Sequence, residues 1–247
     1  MCHHYVARDA RKANLKPEWD NEFSLRANLY QLMLPDDGFY PLAQVPIVRV
    51  SDSGEREMVA AEWGFLPGWW KPSDRTPKRT AFQRKCINAR SEDVDAKPTY
   101  RDSFRCRRCL MPAEEFSERG HYFHLADRRT FAFAALWDQW RGADGAMLET
   151  CTLLTTAPNG AVAAVEHNRM PVVLSTKEEY GRWLNPEVTD RPPLEDLLVP
   201  TPAELWESYR APSGAKVDGA RVSRSSEPVS RRASSHEQGR LFGRLFD

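Results

Sequence analysis

Residues 45–63 read VPIVRVSDSGEREMVAAEW and predict the first structural unit of the fold. Residues 45–50 and 58–63 are short runs rich in apolar and β-branched side chains, and the polar, glycine-containing segment 51–55 lies between them. Two such runs around a short turn are typical of a β-hairpin. We therefore expect two adjacent antiparallel strands here.

Other segments carry similar signals. Residues 121–125 and 130–134 flank a polar turn and predict a second hairpin, and residues 148–156 form a further β-rich run with several threonines. Helices are fewer: apolar spacing predicts one over residues 18–34, and a capping box predicts another over residues 175–183. Because no repeat and no regular βαβ alternation is present, we predict an α+β domain with a largely antiparallel sheet.

Composition indicates a folded, water-soluble protein. Of the 247 residues, 41% are hydrophobic and 28% are charged, which argues against disorder, collagen and coiled coil. We predict one domain over residues 1–209 and a flexible basic tail over residues 210–247. The longest apolar run, residues 131–137, is too short to span a bilayer, and the first residues lack a signal-peptide pattern. Five cysteines without such a signal argue against disulfides, so we expect a cytoplasmic monomer that is not attached to a membrane.

Positive charge is concentrated locally although the net charge is zero. Residues 77–109 contain ten basic and four acidic side chains, and residues 210–247 contain eight basic and four acidic ones. A local cationic surface favours nucleic acid as a partner. Arg84 and Arg90 are candidate phosphate contacts, and Asn88 could hydrogen-bond a sugar or carbonyl; a solvated basic loop is the alternative.

Cys2 is the first candidate for chemistry. A small second residue normally allows removal of the initiator methionine, which leaves a cysteine with a free α-amino group. An α-amine titrates at about 7.7–8.0 and a thiol at about 8.5, so two nucleophiles share one residue near neutral pH. The amine can condense with an aldehyde, after which the thiol closes a thiazolidine ring. The alternatives are attack on an amide carbon and a disordered start without function.

Further segments admit both a structural and a functional role. Residues 63–70 place three tryptophans among turn residues, which suits either core packing or stacking on bases. Residues 108–118 hold three carboxylates that could act as acid or base, and His167 is a lone histidine that could be structural or catalytic. The single CxxC pair at 106–109 and the crowded residues 2–4 do not form a zinc pattern, so we expect no metal and no other cofactor.

Several segments, taken together and in order, resemble the SRAP family (SOS response-associated peptidase, the abasic-site processing proteins). The segments are residues 1–2, 45–49, 63–67, 87–92, 108–113, 131–137, 154–157 and 167–172. The resemblance spans about residues 1–200. It implies a single domain with a β-barrel-like core flanked by helices and a positively charged groove for single-stranded DNA. It also implies that Cys2 joins covalently to the aldehyde of a ring-opened abasic site.

The resemblance implies further catalytic residues. The family's asparagine, acid/base glutamate and histidine fall on Asn88, Glu118 and His167. Asn88 would orient the deoxyribose and Glu118 would shuttle protons during imine formation. His167 would exchange a proton with the sugar oxygen as the ring opens.

DNA contacts follow from the same resemblance. Arg90 and Arg169 would hold phosphates, and Trp69 or Trp70 would stack near the lesion. The family's Gly-Arg after the cysteine is replaced here by residues 3–4, both histidines, which removes a phosphate ligand. Its acidic motif also departs from the family pattern, with Glu115 in place of a glycine and Arg119 in place of a tryptophan.

The tail carries a separate signal. Gln238, Leu241 and Phe242 form a Gln-x-x-Leu-Phe peptide, similar to those by which bacterial repair proteins dock on the replication sliding clamp. The glutamine would satisfy polar groups at a pocket edge while the leucine and phenylalanine bury apolar surface. A degenerate hydrophobic end is the alternative.

We predict an enzyme that forms a covalent thiazolidine crosslink between Cys2 and abasic sites in single-stranded DNA. The crosslink would protect the lesion during DNA repair and the SOS response, in the cytoplasm near the nucleoid. Two alternatives remain open: an N-terminal cysteine peptidase or amidohydrolase that acts on its own terminus, and a noncovalent adaptor for single-stranded DNA or the clamp.

Overall fold

The computed structural model describes residues 2–7, 24–25 and 38–210. They form a mixed, sheet-rich single domain with few helices. The strands are β1 (Tyr5–Val6), β2 (Ser24–Leu25), β3 (Gln44–Val50), β4 (Arg56–Trp63), β5 (Asn88–Arg90), β6 (Arg108–Ala113), β7 (Glu115–Glu118), β8 (His121–Leu125), β9 (Phe131–Arg141), β10 (Met147–Thr156), β11 (Met170–Pro171), β12 (Val173–Leu174) and β13 (Trp206–Arg210). The helices are α1 (Arg79–Gln83), α2 (Arg101–Cys106), α3 (Gly160–Ala163) and α4 (Lys177–Leu184), with 3-10 helices η1 (Pro192–Leu198) and η2 (Ala203–Leu205).

The larger sheet contains nine strands, and a circuit of its pairings returns to its starting strand. β3 and β4 pair antiparallel from Gln44↔Glu62 to Val50↔Arg56, which confirms the predicted hairpin. β3 then pairs with β6, β6 with β9, and β9 with β10, all antiparallel. β10 completes the circuit through a short parallel pairing with β4. The predicted hairpin therefore forms two neighbouring strands of this circuit.

The smaller sheet has the strand order β1-β7-β8-β13. The second predicted hairpin, residues 121–125 with residues 130–134, is wrong in its pairing. Both strands exist, but β8 pairs with β7 and β13, whereas β9 pairs with β6, β10 and β12 of the larger sheet. Both faces of β9 are buried at its start, over residues 131–136, as expected of a strand in the middle of a sheet. Arg128, at φ +58°, lies in the turn between the two sheets.

The helix predicted over residues 18–34 is contradicted where the structure describes it. Ser24–Leu25 form β2, which runs parallel to β4 beside Glu57 and Met58; the rest of that helix lies outside the described residues. β10 covers the same edge of β4 only near its end, at Glu62 and Trp63. Because unpaired backbone groups on a sheet edge are costly, pairing with β4 outweighs the local helical spacing.

The remaining predicted elements are present. Residues 148–156 lie within β10, and the predicted capped helix is α4. Its cap lies one residue later than expected: the Thr176 hydroxyl accepts from the Glu179 amide at 3.2 Å, and the Glu179 carboxylate accepts from the Thr176 amide at 2.9 Å. Within the described ranges, no helix is long and apolar enough to cross a membrane.

The larger sheet separates two apolar cores. Because successive strand residues point to opposite faces, Val48 packs into a core beneath α2, α4 and η1, which we call the helix-side core. Its neighbour Ile47 packs into the core between the two sheets, which we call the sheet-side core. Cys2 and Tyr5 belong to the sheet-side core. The N-terminal segment is therefore an internal part of the fold.

Candidate active site at the N-terminal cysteine

Backbone pairing fixes the N-terminal segment between the sheets. β1 runs antiparallel to β7, and the Ser117 amide donates to the His4 carbonyl oxygen at 3.0 Å. The chain near Gly38 crosses directly over this segment, where a Cβ at residue 38 would overlap the Tyr5 carbonyl oxygen, and its φ of +93° also favours glycine. Cys2 is fully buried as a result.

Asn88 connects Cys2 to the larger sheet. It begins β5, which pairs in parallel with β10 opposite Leu153. Its side-chain Nδ2 donates to the Cys2 carbonyl oxygen at 3.0 Å. Its Oδ1 is buried and finds no hydrogen-bond partner among the described residues. A buried acceptor without a partner is unusual, so this amide is suited to receive a hydrogen bond from a bound ligand.

Glu118 and His167 form a buried acid–base pair. Glu118 ends β7, and its Oε2 lies 3.1 Å from the Nε2 of His167. Burial raises the pKa of Glu118 from 4.5 to about 7 and lowers the pKa of His167 from 6.5 to about 4. Both shifts favour the uncharged forms. Near neutral pH the pair can therefore hold a transferable proton on Glu118, next to a neutral imidazole.

The Cys2 thiol is protonated in this environment. Burial raises the pKa of the thiol well above 9.0, and the nearby charge of Glu118 raises it further. The sulfur lies 3.5 Å from the His4 carbonyl oxygen, as a weak donor. The backbone places the acid–base pair close to the cysteine. Glu118 directly follows Ser117, and the Ser117 amide donates to the His4 carbonyl oxygen two residues after Cys2. The structure thus brings together all four residues that the resemblance implicates in catalysis.

Only some of the side chains predicted to contact DNA are accessible and uncompensated in the structure. Arg84 and Arg90 are exposed, and Trp69 is 55% exposed, as a stacking surface requires. Trp70 is only 5% exposed and packs against other aromatic rings, so it cannot offer a face to a base. The Arg169 guanidinium is held by the carboxylate of Glu92 and by the carbonyl of Thr155, so its charge is already compensated.

Ion pairing occupies four of the ten basic side chains in residues 77–109, and burial removes a fifth from the surface. The pairs are Arg79–Glu62, Lys97–Asp93, Arg101–Asp102 and Arg107–Asp138. Arg108 is buried and donates to the carbonyl oxygens of Phe104 and Trp183, and its burial lowers its pKa to about 10. Five members are exposed and make no ion pair with a described carboxylate: Lys78, Arg84, Lys85, Arg90 and Arg105. Five of the ten basic side chains counted in the sequence are therefore available to a partner.

Sequence reasoning missed two features of the site region. Arg119, directly after Glu118, is exposed, and its charge acts on both members of the pair. The only available signal was its replacement of a tryptophan in the family motif. His4 is buried and stacked on Tyr40 at 4.5 Å, so it is a packing residue. No cluster of potential metal ligands occurs within the described residues.

The fold and the site define a single-domain protein in which the second residue, a buried cysteine, is hydrogen-bonded to Asn88 and lies near a buried glutamate–histidine pair. The family description SOS response associated peptidase (SRAP) matches residues 1–214. The chain belongs to the SRAP family.

Known relatives and structures agree with this assignment. The abasic site processing protein YoqW of Bacillus subtilis strain 168 is 32% identical over 194 residues, covering 73% of this chain and 83% of YoqW. The abasic site processing protein HMCES of Gallus gallus is 27% identical over 225 residues, covering 80% of this chain and 65% of HMCES. A solved Bacteroides thetaiotaomicron structure has a TM-score of 0.73 at 24% identity, covering 86% of this chain and 93% of that chain. A Bordetella bronchiseptica structure has a TM-score of 0.64 at 23% identity, covering 85% and 99%. These two likenesses show the fold.

Proposed function

We propose that this protein processes abasic sites by capturing them in single-stranded DNA as a covalent crosslink to Cys2, after removal of Met1. The observation that carries the proposal is the convergence of Asn88 and the Glu118–His167 pair on a buried N-terminal cysteine. The names of the relatives, which refer to abasic site processing, support the choice of substrate.

The proposed reaction forms two new bonds to one carbon, the C1′ of the abasic sugar. The neutral α-amine of Cys2 adds to the C1′ aldehyde of the ring-opened sugar and forms a carbinolamine. Loss of water, with a proton supplied by Glu118, gives a protonated imine. The thiol then adds to the imine carbon and returns a proton to the Glu118 carboxylate. The net result is one C–N bond, one C–S bond and one released water. No oxidant, metal or cofactor takes part.

Each neighbouring residue has a role that its environment suits. Glu118, protonated near neutral pH because burial raises its pKa to about 7, donates a proton to the departing hydroxyl and later accepts one from the thiol. Asn88 fixes the carbonyl of Cys2 and thereby the direction of its α-amine, while its Oδ1 can accept from the sugar. His167 accepts a hydrogen bond from Glu118 and can relay the proton to the sugar oxygen.

The raised pKa of the Cys2 thiol separates this proposal from the amidohydrolase alternative. A cysteine hydrolase begins with attack by a thiolate, which burial disfavours here. Capture of an aldehyde begins with the amine, and the thiol reacts only with an activated imine. The described environment therefore suits the aldehyde better than the amide.

Three exposed side chains suggest how the DNA is held. Trp69 would stack on a base, and Arg84 and Arg90 would contact phosphates. We also propose that the closed circuit of paired strands is the barrel-like core implied by the family resemblance. The protein would act as a monomer in the cytoplasm, near the nucleoid.

The decisive experiment uses a single-stranded oligonucleotide in which a uracil has been converted to an abasic site by a glycosylase. Wild-type protein should give a band that resists boiling in detergent, and Cys2→Ala should give none. Cys2→Ser keeps the amine but cannot close the thiazolidine, so its imine should be trapped only with borohydride. Cys106→Ala removes an exposed thiol elsewhere and is the matched control. An undiminished band with Cys2→Ala would refute the mechanism.

The tail adds a second, separable proposal. Gln238, Leu241 and Phe242 lie outside the described residues, and we propose that they dock on a sliding clamp. Leu241→Ala combined with Phe242→Ala should abolish binding to purified clamp while leaving crosslinking unchanged. Equal clamp binding by the double variant would eliminate this role.

A further inference from the structure

An arginine occupies a strained turn beside the acid–base pair. β7 and β8 form a hairpin in which Glu118 is paired with His121, so Arg119 and Gly120 are its two loop residues. Both have positive φ angles, +53° and +76°. A two-residue loop of this kind is a type I′ turn, for which Asn-Gly and Asp-Gly are strongly preferred. Arginine in the left-handed conformation costs roughly 1 kcal/mol.

The strained residue, Arg119, lies at the rim of the site. The residue follows Glu118 directly, and the hairpin fixes its backbone at the rim of the site. Its side chain is exposed and makes no ion pair with any carboxylate in the part of the chain that the structure describes. The neighbouring Glu118 is paired with His167. Burial is the main cause of the pKa shifts of that pair, and the charge of Arg119 additionally lowers both values.

We propose that Arg119 binds a DNA phosphate next to the abasic sugar. The inference rests on the proposed function and adds the residue that anchors the backbone at the reacting nucleotide. A guanidinium presents a planar pair of donors that matches phosphate. At two other positions where the family resemblance places a phosphate contact, none is available: Arg169 is held by Glu92, and His4 is stacked on Tyr40. Arg84 and Arg90 stay exposed, and Arg119 would add a contact next to Glu118. Strain retained at a site where asparagine would fit better is consistent with a functional constraint.

The test measures noncovalent binding, so that it does not depend on the crosslink. In a Cys2→Ala background, affinity for undamaged and abasic single-stranded oligonucleotides is measured over a series of salt concentrations. Arg119→Asn should weaken binding about 3- to 10-fold at low salt and should reduce the slope of log K against log salt by about 0.7, the loss of one phosphate contact. Arg119→Lys should keep most of the slope. Thermal melting should show Arg119→Asn at least as stable as its parent, because asparagine suits the turn.

Arg128→Asn is the matched control. Arg128 is also a left-handed, exposed arginine in a turn, at φ +58°, but its charge is paired with Glu115. Its replacement should leave the salt slope unchanged. An unchanged slope with Arg119→Asn, or an equal loss with Arg128→Asn, would overturn the inference. A reduced slope together with failure of Cys2-dependent crosslinking would instead reject the proposed function and keep Arg119 as a DNA contact.

Discussion

Glu118→Gln should make the protein more stable while it destroys crosslinking. The carboxyl is 6% exposed, and burial raises its pKa from 4.5 to about 7. Folding therefore takes up a proton between these two pH values, and the free energy of unfolding falls as the pH rises through that window. Above pH 7 the buried carboxylate costs about 3 kcal/mol. Glutamine has the same shape and carries no charge, so it avoids this cost.

The assay is thermal unfolding at pH 8 and at lower pH. At pH 8 the variant should melt roughly 6 to 12 °C above wild type. The difference should shrink as the pH is lowered from 7 to 4.5 and should vanish below 4.5, where the wild-type carboxyl is protonated in both states. Glu207→Gln removes an exposed carboxylate from the same sheet. It should change neither the melting temperature at pH 8 nor the melting temperature at lower pH. Crosslinking by Glu118→Gln should fall about 100-fold or more. If wild type and Glu118→Gln melt at the same temperature at pH 8, or if their difference does not depend on pH, the burial argument is refuted.

Further substitutions test other parts of the fold and site. Tyr5→Phe should raise stability by about 1 kcal/mol, because the Tyr5 hydroxyl is buried and has no partner among the described residues; an unchanged or lower melting temperature would contradict this. Gly38→Ala should lower stability by about 2 kcal/mol or more, since residue 38 needs a positive φ and a Cβ would overlap Tyr5; urea unfolding measures the loss. Trp69→Ala should weaken single-stranded DNA binding about 10-fold and leave stability unchanged. Trp70→Ala should instead cost about 3 kcal/mol of stability, because Trp70 is buried.

Local signals in the sequence were sufficient for elements whose partners are close along the chain. The β3–β4 hairpin and helix α4 both follow from residues within about one element length of each other. The second hairpin failed because alternation and turn residues indicate that a strand exists but do not specify its partner. Strand β9 joins β6 and β10 instead, since both of its faces are buried.

The candidate site was likewise predictable only in part from the sequence. Residue types and motif order pointed to Cys2, Asn88, Glu118 and His167, and the structure places them together. The pKa shifts could not be predicted, because they depend on burial. Trp69 and Trp70 show the limit most directly: they are identical neighbours in the sequence, yet one is 55% exposed and the other 5%.

The site exists only where the two sheets meet. Asn88 comes from the larger sheet and Glu118 from the smaller one, and Cys2 lies between them because β1 pairs with β7 while its carbonyl receives the amide of Asn88. A free N-terminal cysteine on a mobile end would keep a solvated amine and thiol with ordinary pKa values, without a fixed proton donor. Docking that end into the sheet-side core supplies the buried carboxyl group and fixes the direction of the α-amine. The reactivity proposed for Cys2 is therefore a property of how the N-terminal strand is bound, and a change that loosens β1 from β7 should reduce crosslinking even when Cys2, Asn88, Glu118 and His167 are all intact.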